Sequence, residues 1–354
     1  MAAGEPGPPG PPGADGADGA PGPPGPQGPQ GIQGPPGPGI GRDLVHDFGA
    51  DPSGQVDASG AIRLALVEVG GRINVPTGVY RMNNPVHVHA QYGVRSPWLA
   101  GEGQNATILV LTNPTQPAFV VGDIPGQPLV RWPRISDMQI VYETPPQADV
   151  PMFLFQGVKG AQLENIWARN ARMVAQVGVN AHGLAGSCED VHMVNVKSDS
   201  AGDNVVSPDA MRIENVNGLW MTRCSISGQL NQTILKFTSS GTTTTDTVVI
   251  TDCLFKDGRT AIRAGDGTVS NVLFRGAIFD KCQESAVQLE TKPGADLTNW
   301  QFDGCWVYSL GFGYIFNRSA GGAIIRASVT GGSIDNAPTP FTLSGNPDVR
   351  RTGI

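Results

Sequence analysis

The chain has 354 residues, a net charge of −7 and only 16% charged residues. No Lys/Arg-rich run gives it the electrostatic footprint of a nucleic-acid binder, and no continuous apolar run is long enough for a membrane-spanning helix, so neither partner is expected. Its 48 glycines and 30 prolines are an excess for a globular protein, and five cysteines in a chain of this length do not suggest a disulfide framework.

The first residues, Met1 to Pro6, lack the basic region and apolar core of a signal peptide. From Gly4 to Gly37 a glycine stands at every third position, mostly with Pro, Gln, Ala and Asp between. Three polyproline-II strands can wind together only if the residue at the crowded axis has no side chain, so residues 1–41 read as a collagen-like stalk. At about 3 Å of rise per residue the rod would be on the order of 100 Å long. So few triplets make a weak free-standing triple helix. Trimerisation is therefore expected to be enforced elsewhere, in a homotrimer.

Residues 42–130 read as a cap and first coils. Ala61, Ile62, Ala65 and Leu66 have helical spacing, with Asp57 or Ser59 as the N-cap. Gly70 to Tyr80 follows as strand and turn. A short amphipathic helix here would plug the open end of a coiled sheet.

Residues 131–354 carry a six-residue pattern, apolar at positions 1, 4 and 6, starting at Ile135, Leu163, Cys188, Met221, Ile250, Phe274, Phe302 and Val329. On a straight strand, positions 1 and 4 face opposite sides. A bend at position 3 resolves the conflict, and Asp137, Asn165, Asp190, Asp252, Gly276, Gly304 and Gly331 suit it, with Arg223 the exception. A second lane, Ile234, Ile262, Val287, Ile315 and Thr342, keeps step with the first. The fold expected is all-β: a right-handed parallel β-helix of about eight or more coils, since one coil alone is too small to bury a core. Cys224, Cys253 and Cys305 at position 4 and Cys188 at position 1 then read as stacked core thiols.

Asp47-Phe-Gly-Ala50, Gly54, Asp57, Ala61-Ile62, Gly70-Gly71 and Val75-Pro76-Thr-Gly78-Val-Tyr80 resemble the opening of the pectate-lyase-superfamily domain found in bacteriophage tailspikes and some secreted glycosidases. The chain departs from the family at Val56-Asp57-Ala58, where paired aspartates are frequent. The resemblance, with the collagen-like leader, implies a virion spike or fibre that is made in the host cytoplasm and held by a particle protein at its N-terminal end. It would bind, and in some members depolymerise, a host surface polysaccharide. Two alternatives stand beside it: a structural or decoration fibre that only spaces and trimerises, and a secreted glycoside hydrolase or polysaccharide lyase.

Cleaving members of the family usually place carboxylates on the outer wall or between subunits. Glu164 and Glu189, at position 2 of successive hexads, would lie one strand spacing apart, about 4.8 Å, near the roughly 5–5.5 Å of a retaining glycosidase, or are ordinary wall residues. Asp199, Asp203 and Asp209 sit in the coil with the longest spacing, as functional groups or as an ordinary acidic turn. Trp167 and His192, at position 5 of the same hexads, offer surfaces for a sugar ring or extend a trimer contact. Leu254, Ile278 and Trp306 form an outward apolar stripe, the expected trimer interface. Asn180 to Leu184, with Arg212-Ile213 downstream, is distantly similar to polygalacturonase motifs, but the paired aspartates that should precede it are absent. His87 and His89 share a strand face without a third ligand, so neither metal nor cofactor is expected.

Overall fold

The computed structural model describes residues 4, 6–16, 41–88, 96–122, 131–146, 149–178, 188–200 (200 by backbone alone), 209–239, 244–319 and 323–354. The chain divides into two compact units, Met1–Pro38 and Gly39–Ile354. In the first, residues 6–16 are exposed and outside helix or strand. A Cβ added at Gly4, Gly7, Gly10, Gly13 or Gly16 would meet nothing within 4 Å.

The second unit is a parallel β-solenoid with one short helix. Ten strands, from Val86–Val88 to Thr339–Ser344, stack in chain order as one sheet, and the remaining 21 strands form the other faces. Every described pairing is parallel, each strand resting on its equivalent one coil earlier. The helix Ser59–Glu68 buries Ile62, Ala65 and Leu66 against the end of the core. Its N-cap position is Ala58, which makes no side-chain cap. The Asp57 carboxylate instead accepts from the Ser59 amide at 2.9 Å and hydroxyl at 2.6 Å, and the Ser59 hydroxyl oxygen accepts from the Asn83 amide at 3.1 Å. Both expected capping residues thus fasten the helix start to the next turn.

The bend expected at position 3 is a column of left-handed residues: Asp137, Asn165, Asn195, Arg223, Asp252, Gly276, Gly304 and Gly331, with φ between 52° and 62°. Asn, Asp and Gly tolerate this region best. The amides also stack: Asn165 Nδ2 donates to Asp137 Oδ1 at 2.8 Å, and Asn195 Nδ2 to Asn165 Oδ1 at 2.9 Å. Arg223, the apparent exception, adopts the same backbone at φ 54°.

Two registers expected from the sequence are corrected. Leu163 pairs with Met193, not Cys188, so the in-register hexad is Met193 to Ser198 and its bend is Asn195. Cys188 pairs with Val216, and Asp190 belongs to a second left-handed corner with Gly218, Thr247, Asn271 and Asn299. This coil has two corners five residues apart, and buried Val191, Met193 and Val196 satisfy the apolar pattern in either frame. In the second lane Ile262 and Val287 pair as expected, but their column continues through Leu235, Tyr314 and Phe341 rather than Ile234, Ile315 and Thr342.

Inside, the thiols stack as expected. Val196, Cys224, Cys253, Ala277 and Cys305 follow one another, with Leu254 N donating to Cys224 O at 2.8 Å, Ile278 N to Cys253 O at 2.8 Å and Trp306 N to Ala277 O at 2.9 Å. All five cysteines are buried and free, and burial pushes Cys188 and Cys305 up to about 11 and Cys282 up to about 12. They act as small apolar residues. An aromatic spine fills the later coils, with the Phe274 and Phe302 rings stacked 5.2 Å apart and Phe237 edge-on to Trp300 at 5.2 Å. Each such ring stabilises the fold by roughly 1.5–3 kcal/mol on burial.

Candidate functional site

With the core facing inward, chemistry is left to the outward columns. The adjacency expected of Glu164 and Glu189 does not form. Glu164 lies beside Val194, and Glu189 lies opposite Lys159, five residues upstream of Glu164. At about 3.3 Å per residue, that offset puts the carboxylates on the order of 16 Å apart along the coil. Both retaining and inverting glycosidases need less, roughly 5–9.5 Å. Each carboxylate is instead paired with a cation of the preceding coil, Glu164 with Arg134 and Glu189 with Lys159 at 2.7 Å.

Trp167 and Asp199 do come together. The indole Nε1 donates to Asp199 Oδ2 at 2.8 Å, and the Arg169 guanidinium sits 5.0 Å from the centre of the Trp167 ring. The coil neighbour of Trp167 is Lys197, whereas His192 stacks face to face on Trp220 with ring centres 4.7 Å apart. Burial holds His192 below the usual imidazole range, opposed by the Asp190 charge. Asp203, the Asn180–Leu184 motif and His89 lie outside the described residues.

The ten-stranded sheet carries a second outward row. Gln176, Arg212, Lys236, Arg263 and Gln288 pair directly with one another on five consecutive coils. The strand spacing puts these long polar side chains about 4.8 Å apart in a straight line. Asp209, expected in an acidic turn, starts the strand Asp209–Glu214 and is only 2% exposed. Its Oδ2 accepts from Arg212 Nε at 3.0 Å and Nη2 at 2.8 Å, and Asp149 Oδ2 lies 3.6 Å from the same Nη2. Burial raises the Asp209 carboxyl above the ordinary carboxylate range, Arg212 and Lys236 pull it down, and Asp149 pushes it up. Beside the row is a cleft of about 470 Å³ bordered by Lys236, Arg263, Asp266, Glu290 and Lys292.

The apolar stripe is in register: Leu254 pairs with Ile278 and Ile278 with Trp306, which is 40% exposed. Among the described residues, no group of three or more His, Cys, Asp or Glu is placed to hold a metal ion, and no helix is long and apolar enough to cross a membrane. Of the row on the ten-stranded sheet, sequence reasoning found Asp209 and noted Arg212, but missed Asp149, Gln176, Lys236, Arg263 and Gln288. The signal available was the residue following each core position of the second lane: Arg263 and Gln288 follow Ile262 and Val287 in the lane as expected, and Lys236 joins them once that lane runs through Leu235.

No protein-family model and no curated protein matches the chain. Solved structures do. The product of open reading frame 18 of Geobacillus virus E2 superposes with a TM-score of 0.59 at 15% identity over 88% of this chain, which spans 60% of that one. The hyperthermoactive exopolygalacturonase from Thermotoga maritima gives 0.57 at 15% identity, covering 85% of this chain and 84% of the enzyme. A 1,3-α-1,4-β-D-galactose-4-sulfate-3,6-anhydro-D-galactose-2-sulfate 4-galactohydrolase gives 0.53 at 10% identity, covering 89% and 90%. The chain shares with a phage protein and two glycan-cleaving enzymes the parallel β-solenoid fold.

Proposed function

We propose that this chain is the subunit of a trimeric virion spike or fibre, and that it binds an acidic polysaccharide of the host surface along the ten-stranded sheet. The observation that carries the reading is the straight row Gln176, Arg212, Lys236, Arg263 and Gln288. A linear polymer presents hydroxyls and acidic groups at regular intervals, and a row of amide, guanidinium and ammonium groups on a rigid wall meets them at a fixed spacing, with Arg263 the exposed member of the five. Arginine recognises carboxylate or sulfate with a planar fork. Two of the fold's neighbours act on glycans and another comes from a phage, which supports the reading by analogy of fold alone.

The trimer rests on the leader. Among the described residues nothing occupies the space where Cβ atoms would stand at Gly4, Gly7, Gly10, Gly13 and Gly16, so packing within one chain gives no reason for glycine at these positions. Two further chains around a common axis would. The stalk's N-terminal end would be held by a particle protein.

The test is retention of the full-length chain on polysaccharide fractions from candidate hosts, over a salt series. Wild type should bind acidic fractions and be released as salt rises, while the Arg212→Ala/Lys236→Ala/Arg263→Ala variant should pass through. Equal retention of the two proteins sinks the row as the site. Silence of wild type on every fraction favours a fibre that only spaces and trimerises.

One observation favours cleavage as a second reading. Asp209, its carboxyl raised by burial, and Asp149 share the Arg212 guanidinium, an acid and a carboxylate at the head of the row. Release of new reducing ends by wild type, lost in Asp209→Asn while retention persists, is the expected result. Intact polymer after prolonged incubation with every bound fraction removes this reading.

A further inference from the structure

The strand Val216–Thr222 and those above it carry a second apolar stripe, on the other flank of the corner from Leu254, Ile278 and Trp306. Trp220 pairs with Val249 and Val249 with Leu273, all half-buried and facing outward. His192 continues the column one coil earlier through its stack on Trp220. The corner between the two stripes is the left-handed column Arg223, Asp252, Gly276, Gly304 and Gly331. Val249 and Leu254 flank it on one coil, Leu273 and Ile278 on the next.

The corner also changes character along the solenoid. Earlier coils place Asp137, Asn165, Asn195, Arg223 and Asp252 there, each tolerating the same backbone. From Gly276 onward the position is bare. At Gly276 an added Cβ would meet Asp252 Oδ1 at 2.7 Å, which is reason enough within the chain. At Gly304 it would meet nothing within 4 Å, and at Gly331 only ordinary contacts at 3.9 Å. The left-handed backbone, φ 60° and 62°, accounts for glycine at both positions, and the open space around them leaves the last coils of the corner free for another surface to approach.

We propose that this corner points at the threefold axis of the trimer, and that the stripe Trp220–Val249–Leu273 of one copy packs against the stripe Leu254–Ile278–Trp306 of the next. The inference rests on the trimer reading above and specifies its interface. A closed ring of three is built from a heterologous contact, patch to different patch, so every copy needs two distinct surfaces. Two apolar stripes on opposite flanks of one edge are that pair, and the edge between them is bare from Gly276 onward. A twofold dimer would need one self-complementary patch and gives no role to the second stripe.

The test uses the full-length chain with cysteines placed across the expected contact, the native thiols being buried. Under mild oxidation the Val249→Cys/Ile278→Cys double variant should run as a covalent trimer on a non-reducing gel, and each single variant as monomer. Gly304→Arg added to the double variant should weaken the cross-link more than Gly304→Asn does, since the two share the left-handed backbone and differ in bulk. A trimeric mass for wild type by light scattering, with no cross-link in the double variant, overturns the stripe-to-stripe contact and leaves the trimer standing. Cross-linked dimers from either single variant overturn it equally, in favour of a self-complementary patch. A monomeric mass for the unmodified chain removes the trimer reading and this interface together.

Discussion

The two outward walls of this solenoid rest on the same interior and differ completely in what they show to water. On the ten-stranded sheet the outward column reads Gln176, Arg212, Lys236, Arg263 and Gln288; across the Arg223-to-Gly331 corner the flanks read Trp220, Val249, Leu273 and Leu254, Ile278, Trp306. Both columns obey the same ladder, in which each side chain sits above its equivalent one coil earlier. The core cannot dictate this difference, because inward positions are predominantly apolar on both walls. Parallel stacking therefore turns residues some 24 to 36 apart in sequence into continuous stripes of one chemistry, and the partners proposed for them differ accordingly: a polar chain for one wall, other copies of the protein for the other.

The largest effect should come from damage to the interior both walls share. Phe274→Ala removes a ring stacked on Phe302 and packed against Phe255 and Phe279, and should cost about 3–5 kcal/mol. Thermal unfolding should move down for the whole solenoid, and glycan retention and trimer mass should fail at the same temperature. If the two losses separate, the walls do not share one cooperative unit. Next, Leu254→Asp/Ile278→Asp should lower the mass of the full-length chain from trimer to monomer in light scattering, since a buried unpaired charge has no place in an apolar contact. Its melting temperature as a monomer should stay near that of a dissociated wild type, because both side chains face outward. Smaller again is Lys236→Ala alone. Its side chain is only 28% exposed and its ammonium lies 3.8 Å from Asp266, and its loss should weaken retention on acidic polysaccharide by roughly 1 kcal/mol with the mass unchanged. A change in mass with unchanged retention would reverse the assignment of the two walls.

What the sequence made legible follows from which residues face inward. The apolar positions 1, 4 and 6, the bends at Asp137, Asn165, Asp252 and the glycines, and the stacked Cys224, Cys253 and Cys305 are all demanded by the backbone or the core. The wall was harder. The coil from Leu163 to Met221 has two corners, so Cys188 and Met193 could equally begin its hexad, and the wrong choice placed Glu189 beside Glu164. In the second lane both Ile234 and Leu235 are fully buried, so hydrophobicity could not choose between them. That one-residue slip hid Lys236, which joins Arg263 and Gln288 in a column as soon as the lane runs through Leu235. Outward residues carry no pattern of their own and inherit their alignment from the core register, so a slip there erases a surface site.

The smallest effect expected distinguishes the head of the polar row from the rest of either wall, and it is a pH effect. Asp209 is almost wholly buried, and its carboxyl is raised above the ordinary value because desolvation outweighs the pull of Arg212 and Lys236. A group that holds its proton more tightly when folded contributes stability in full below its unfolded value. That contribution is lost as pH rises through the raised folded value. Wild type should therefore lose a small increment of melting temperature as pH climbs from the ordinary carboxylate range towards neutrality. Asp209→Asn, which keeps a carbonyl for Arg212 and carries no charge, should flatten that slope and melt at or above wild type at neutral pH. A steeper slope in Asp209→Asn would mean that the ionised carboxylate is the form the fold prefers. Arg212 would then be its charge partner first and a ligand for the polymer second, and the acid half of the cleavage reading would fall with it.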